Sequence, residues 1–215
     1  MAAAPAPSFT RDWFDDNVPV WTRLLAPMAG RPGARALEIG CFEGRATCWL
    51  LANVLTGAGA HIDCVDTFEG SDEYPSMDVS MAGVRERFEA NVAPWRERVE
   101  IHVGGSADVL RRFDRRYDFV YVDASHAAAD VIADAVLAWP LLAAGGVMIF
   151  DDYAWDWFAR PERNPRIAVD AFRACYAGHY ELLHVGYQVA VRKLPAYSPS
   201  AAAAILPPRP QGHAD

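Results

Sequence analysis

Leu37-Glu38-Ile39-Gly40-Cys41-Phe42-Glu43-Gly44-Arg45-Ala46-Thr47 decides the fold, because a short apolar run breaks at two glycines and gives way to a helical stripe. The run is Ala36–Gly40, and the stripe is Ala46, Trp49, Leu50 and Val54, stopped by Gly57. Glycines at a strand-to-helix turn let the backbone pass close to a ligand, and the helix that follows offers free N–H groups. The spacing is GxxxG, whereas a dinucleotide fingerprint needs GxGxxG. The turn therefore suits a ligand without a pyrophosphate, its amino-acid portion beside the glycines.

Outward from this turn the same alternation repeats. Further apolar or β-branched runs are Ile62–Asp66, Val99–Val103, Phe119–Asp123 and Val147–Asp151, as expected of strands covered on both faces. Helical period separates them: Val84, Phe88 and Val92 in one stripe, then Val131, Ala135, Trp139 and Leu142 in another, closed by Gly145-Gly146. After a helix around Ile167–Tyr176, two strand-like runs, Tyr180–Val185 and Tyr187–Arg192, are parted only by Gly186. Such close spacing makes a hairpin, not a crossover. The predicted fold is α/β, a Rossmann-like doubly wound seven-stranded sheet, mostly parallel with a C-terminal antiparallel hairpin strand.

Three regions are expected: an N-terminal helical segment over 1–34, the α/β domain over 35–193, and a flexible Pro- and Ala-rich tail over 194–215. At 215 residues the chain can bury a full core as one domain. With 28 acidic against 20 basic residues and a net charge of −8, nucleic acid is not expected as a partner. The Arg111, Arg112, Arg115, Arg116 group reads as the solvated end of a helix. No apolar run approaches the roughly 20 residues that span a bilayer, so no membrane partner is expected. MAAAPAPSFT lacks the pattern of a secretory leader. Cys41, Cys48, Cys64 and Cys175 match no zinc or redox spacing; four reduced, mostly buried thiols in a cytoplasmic protein is the reading adopted. A homo-oligomer is left open.

Three runs end on aspartates, Asp66, Asp123 and Asp151, and ligands of open parallel sheets bind at the carboxyl ends of strands. Asp66, 22 residues after Gly44, is placed to accept hydrogen bonds from both hydroxyls of a ribose. Gly104-Gly105-Ser106-Ala107-Asp108 joins the third strand to a helix, a place to contact an adenine edge.

On the stretches LEIGCFEGRAT, IDCVDTFEG, GGSADVL, FVYVDASH and LLAAGGVMIFDDYAW, the span from Ala36 to Lys193 resembles the class I S-adenosylmethionine-dependent methyltransferases. Within them it looks closest to the small-molecule "methyltransferase 24" type, with macrocin-type and cephalosporin-pathway relatives. The resemblance implies that Glu38, Gly40 and Gly44 hold the methionine end of S-adenosyl-L-methionine, Asp66 the ribose, and Ser106 with Ala107 the adenine. Thr67 and Asp123 complete the cofactor-contacting set.

Asp123, Asp151 and Asp152 converge at neighbouring strand ends, where unpaired carboxylates raise one another's pKa. A hard divalent cation such as Mg²⁺ relieves that repulsion while keeping positions open for substrate. Metal-dependent catechol-type O-methyltransferases, which this edge resembles, carry Asp at the first position and Asp-Asn at the second, and a lysine three residues after the first Asp; here that slot is His126. A neutral imidazole serves as a general base near pH 7, so His126 with Asp123 forms the catalytic expectation, and the partner is a small-molecule acceptor. Other readings stand beside these. His126 can cap a helix or bond Asp123, Asp152 can cap a helix before Tyr153, and Asp151 can contact the cofactor without a metal. The loop Thr67–Met81 and the aromatic run Tyr153–Phe158 are candidate substrate walls. Trp13, Phe14 and Trp21 read as a helix-spaced set packing on the sheet, with a cover over the site as second choice. The functional expectation is O-methylation of a small hydroxylated molecule. Its alternatives are a metal-independent N- or O-methyltransferase and a non-catalytic nucleoside-binding module.

Overall fold

The structure is a computed structural model that describes residues 6–71, 74 and 78–195. Its chain order is α1 (Val18–Leu25), β1 (Arg35–Ile39), α2 (Arg45–Asn53), β2 (His61–Asp66), α3 (Val84–Val92), β3 (Val99–Val103) and α4 (Ser106–Leu110). There follow β4 (Tyr117–Val122), α5 (Ala128–Ala138), β5 (Leu142–Phe150), α6 (Pro165–Cys175), β6 (Tyr180–Val185) and β7 (Val189–Lys193). The seven strands lie in the order β3-β2-β1-β4-β5-β7-β6. β1 through β5 pair in parallel, and β7 runs antiparallel between β5 and β6. The doubly wound sheet with its closing hairpin strand is thus present as expected.

Strand alternation divides the core between the two faces. Ala36, Ile62, Cys64, Phe119, Tyr121 and Ile149 face α1, α2 and α3, where they meet Trp21, Leu25, Leu50 and Phe88. Leu37, Ile39, Val65, Val120, Met148 and Phe150 face the other way, onto Val109, Val131, Ala135, Val169 and Phe172 of α4, α5 and α6. Sequential crossovers carry the chain along one face and then the other, so the sheet order reverses beside β1. Ligand crevices form at that point.

Three expectations need correction here. The third helical stripe does not run to Leu142 or end at Gly145-Gly146. α5 stops at Ala138, a 3-10 turn spans Trp139–Leu141 with Pro140 inside it, and both glycines lie in β5. Pro140 supplies no N–H for the helical ladder, which makes it the stop signal. The arginine group is not simply a solvated helix end either. Arg115 Nη1 reaches Oδ1 of the fully buried Asp63 at 2.9 Å and Glu100 Oε2 at 2.5 Å. Last, Trp13, Phe14 and Trp21 do not act as one set. Phe14 and Trp21 are buried, their rings 4.8 Å apart edge to face, whereas Trp13 is 46% exposed.

Before β1, a 3-10 turn (Asp15–Asn17), α1 and a second 3-10 turn (Ala26–Met28) follow one another. Most of the tail expected over 194–215 lies outside the described residues, as do parts of the loop over 67–81. Among the described residues no helix is long and apolar enough to cross a membrane. Cys41, Cys48 and Cys64 are buried free thiols, and Cys175 is an exposed one.

Candidate active site

The turn after β1 is built by its glycines. Gly40 sits at φ +87°, and a Cβ there would lie 2.0 Å from the Asp123 carbonyl oxygen, so the loops after β1 and β4 touch backbone to backbone. Gly44 sits at φ +80° directly before α2, and its missing Cβ leaves room for the Phe88 ring. Asp66, at the tip of β2, ties this turn down. Its Oδ2 accepts hydrogen bonds from the N–H groups of Cys41 (2.6 Å) and Phe42 (2.9 Å), and its Oδ1 accepts one from Phe68 (2.7 Å).

Two clefts open at this carboxyl edge. The smaller, about 200 Å³, is bordered by Gly40, Asp66, Thr67, Gly104, Ser106, Ala107, Asp123 and Asp134. The larger, about 720 Å³, is bordered by Trp13, Glu38, Asp123, His126, Asp151, Asp152, Trp155 and Tyr187. Gly40, Phe42, Tyr74 and Asp123 border both. Seven of the eight cofactor-contacting candidates therefore line one cleft or the other. Gly44 lines neither, and its part is to shape the turn.

Glu38, in β1, is 1% exposed and accepts the Thr47 hydroxyl at Oε2, 2.6 Å away. Burial pushes its carboxyl up to about 8, the Thr47 hydrogen bond opposing. The three aspartates do converge: Asp123, Asp151 and Asp152 each place an oxygen within 4.8 Å of the others. Burial, and then the charges of Asp151 and Asp152, hold the Asp123 carboxyl well above the usual carboxylate range. Asp151 rises to about 7 by burial and the neighbouring Asp152 charge, while hydrogen bonds from Tyr121, the Asp152 N–H and Gln188 oppose the rise.

Asp151 belongs to a wider buried network. Tyr121 donates its hydroxyl to Asp151 Oδ2, and the Gln188 side-chain amide donates to the same oxygen at 2.9 Å. Gln188 in turn accepts the Trp21 indole N–H at 2.8 Å. Sequence reasoning missed Tyr121, Gln188 and this link to α1, because polar residues on strand faces carry no motif.

His126 pairs with Asp152. Its Nε2 lies 2.8 Å from Asp152 Oδ2, and its ring packs against Trp155, tilted by 30° with centroids 4.6 Å apart. Asp152 is not a helix cap, since no helix begins there. It sits at φ +56°, and this left-handed turn swings its carboxylate back toward His126 and the Tyr187 hydroxyl, 2.7 Å from Oδ1. In the aromatic run, Trp155 is buried against His126 while Trp157 is 63% exposed. Trp13 forms the opposite wall, packed on Phe42 at 5.1 Å and on Tyr74 at 6.1 Å.

The N-terminal segment is fastened over this edge. Thr10 gives its N–H and its hydroxyl to the buried Glu43 carboxylate (2.6 and 2.7 Å), which also takes Arg87 Nε at 2.5 Å. Arg45 pairs with Asp12 and Asp15.

With the fold and these clefts in view, residues 37–153 match the family described as a methyltransferase domain. That span is more than half of the chain, and the chain belongs to this family of methyltransferase domains. Solved structures of the same fold include a candidate rRNA methylase from Clostridium thermocellum, 13% identical, covering 83% of this chain and 97% of that one at a TM-score of 0.63. An O-methyltransferase from Bacillus cereus in complex with SAH is 20% identical, covering 88% and 84% at a TM-score of 0.57. A third, the Streptomyces achromogenes O-methyltransferase involved in tomaymycin synthesis, in complex with SAM, is 20% identical, covering 81% and 77% at 0.56. No curated protein matches the chain in sequence.

Proposed function

We propose that this chain methylates an oxygen of a small hydroxylated molecule, with Mg²⁺ as an assisting ion. The observation that carries the reading is the shared wall of the two clefts, where Gly40 and Asp123 border a nucleoside-sized groove on one side and the carboxylate–imidazole cluster on the other. Two proteins of the same fold, both O-methyltransferases, agree with transfer to oxygen.

The residues fit the cofactor. Asp66, with three backbone N–H groups already on its carboxylate, keeps room for about one ribose hydroxyl at the strand tip, Thr67 lies beside it, and Gly104-Gly105 leave a strip without side chains leading to Ser106 and Ala107. Glu38 and Gly40 border the larger cleft at the amino-acid end. When bound, S-adenosylmethionine supplies an electrophilic methyl group on a sulfonium, open to in-line displacement by an oxygen nucleophile.

The chain's own residues prepare that nucleophile. His126 is held by Asp152 at Nε2, and that carboxylate stabilises the imidazolium formed when His126 takes the acceptor's proton. Trp155 fixes the ring plane. Trp13, Phe42 and Tyr74 provide an aromatic wall for a planar or ring-shaped acceptor. Asp123, Asp151 and Asp152 would hold Mg²⁺, which would offset their mutual repulsion and acidify a coordinated hydroxyl.

A second reading, transfer without a metal, is favoured by one observation: both oxygens of Asp152 already accept hydrogen bonds, from His126 and Tyr187. Calorimetric titration with S-adenosylhomocysteine and with NAD tests the cofactor half, and binding of NAD alone would refute it. Transfer of labelled methyl to phenolic and sugar hydroxyls, with Mg²⁺ or after exhaustive chelation, separates the two readings.

A further inference from the structure

A polar cluster near the starts of β2 and β3 has no part in methyl transfer. His61 and Asp63 share one face of β2, and Glu100 of β3 is the register partner of Asp63. The cluster lies far from both clefts. His61 opens β2 and Asp66 closes it, about 16 Å away at roughly 3.3 Å per residue.

Asp63 is 0% exposed. Its Oδ1 accepts Arg115 Nη1 at 2.9 Å and faces His102 Nε2 at 2.8 Å. Its Oδ2 is buried and has no hydrogen-bond partner among the described residues, and the same holds for Nε2 of His61. A buried carboxylate oxygen without a donor is costly, and an unpartnered ring nitrogen on the same strand face adds to the deficit. Glu100 is partly exposed, with Oε2 3.9 Å from His61 Nε2, too long for a hydrogen bond. Arg115 braces Glu100 as well, but one guanidinium offsets only one of the two carboxylates. His61, Asp63 and Glu100 each bring one ligating atom within 4.8 Å of the others.

We infer that these three side chains bind a divalent transition-metal ion, Zn²⁺ by ligand type, as a structural site that clamps β2 to β3. One imidazole with two carboxylates is a zinc-type set, whereas Mg²⁺ favours oxygen alone. Tetrahedral ligand atoms on bonds of about 2.0 Å stand about 3.3 Å apart, so a small inward movement of Glu100 closes the set. Arg115 and His102 hold Asp63 by its other oxygen, which orients Oδ2 for the ion.

The test is calorimetric titration of the full chain with ZnCl₂, beside urea unfolding with and without the metal. Wild type should bind one Zn²⁺ at this site, and Asp123→Asn, altered at the distant aspartate edge, should keep it. His61→Ala and Glu100→Gln should each weaken binding by at least about tenfold. Zn²⁺ should raise the urea midpoint of wild type but not of His61→Ala. Both positions are partly exposed, and metal-free urea unfolding checks that the variants keep the fold. Absence of Zn²⁺ binding in wild type would leave the two orphan atoms to solvent and overturn the inference. Binding that both variants leave unchanged would overturn it too, as would binding lost in Asp123→Asn.

Discussion

Nε2 of His126 lies 2.8 Å from Oδ2 of Asp152, so the candidate base is oriented by a carboxylate from a different strand end. Replacing His126 by Ala should lower kcat by roughly 10²–10⁴ while S-adenosylhomocysteine affinity stays near wild type. Tyr187→Phe removes the hydroxyl on Asp152 Oδ1 and should cost about fivefold in kcat, the scale of one hydrogen bond of about 1 kcal/mol. Steady-state kinetics beside calorimetry checks both. A loss of cofactor binding in His126→Ala would remove the base assignment.

Chelation distinguishes the two forms of the mechanism. If the aspartate edge works through Mg²⁺, exhaustive chelation should abolish turnover, added Mg²⁺ should restore it, and Asp123→Asn should behave like the chelated enzyme. Unchanged activity in chelator would assign the chemistry to His126 and Asp152 alone.

Asp134 links stability to pH. Its folded pKa, about 6, stands above the ordinary value of 3.8, so the proton is held more tightly in the folded chain. Its contribution is therefore full below pH 4 and is lost as pH rises through 6. Relative to wild type, Asp134→Asn should be more favoured at pH 8 than at pH 4 by roughly 3 kcal/mol. Urea unfolding at the two pH values measures the difference, and a pH-independent gap would contradict the assignment.

Gly40→Ala should prevent normal folding. The added methyl would lie 2.0 Å from the Asp123 carbonyl oxygen, on backbone already at φ +87°, so the loops after β1 and β4 would have to part. A loss above about 3 kcal/mol, or no soluble protein, is expected by denaturant unfolding.

Glu43 is 1% exposed and receives Thr10 twice and Arg87 once. Glu43→Ala should destabilise the chain by roughly 3–5 kcal/mol and release the segment over 6–17. Limited proteolysis should then cut within that segment before the remainder. Cleavage elsewhere first would show that Glu43 does not hold it.

The sheet was legible because buried parallel strands write themselves as apolar runs, and three of those runs terminate in or beside the acids that line the clefts, Asp66, Asp123 and Asp151. The pairing of His126 was not. It depends on the left-handed turn at Asp152, and a non-glycine residue at positive φ leaves no trace in sequence. Pro140 was a readable stop passed over in favour of the glycines that follow it. Asp134 escaped for a different cause: a polar residue one turn after Asp130 looks like a solvated helix face until α4 is laid against it. Trp13 and Trp21 are eight residues apart and chemically alike, but only contacts distant in sequence send one to the cleft wall and the other into the core.

The indole of Trp21 can only donate a hydrogen bond, and that property propagates. It obliges the Gln188 side chain to turn its oxygen toward α1 and its NH₂ toward Asp151, at 2.8 and 2.9 Å. The polarity of this chain of bonds is set at one end, and it delivers a donor to the aspartate edge whatever ligand is present. Glutamate at position 188 would match glutamine in shape but turn an acceptor on Asp151. The first helix, remote from the chemistry in sequence, thus dictates which sense of amide the reacting edge meets.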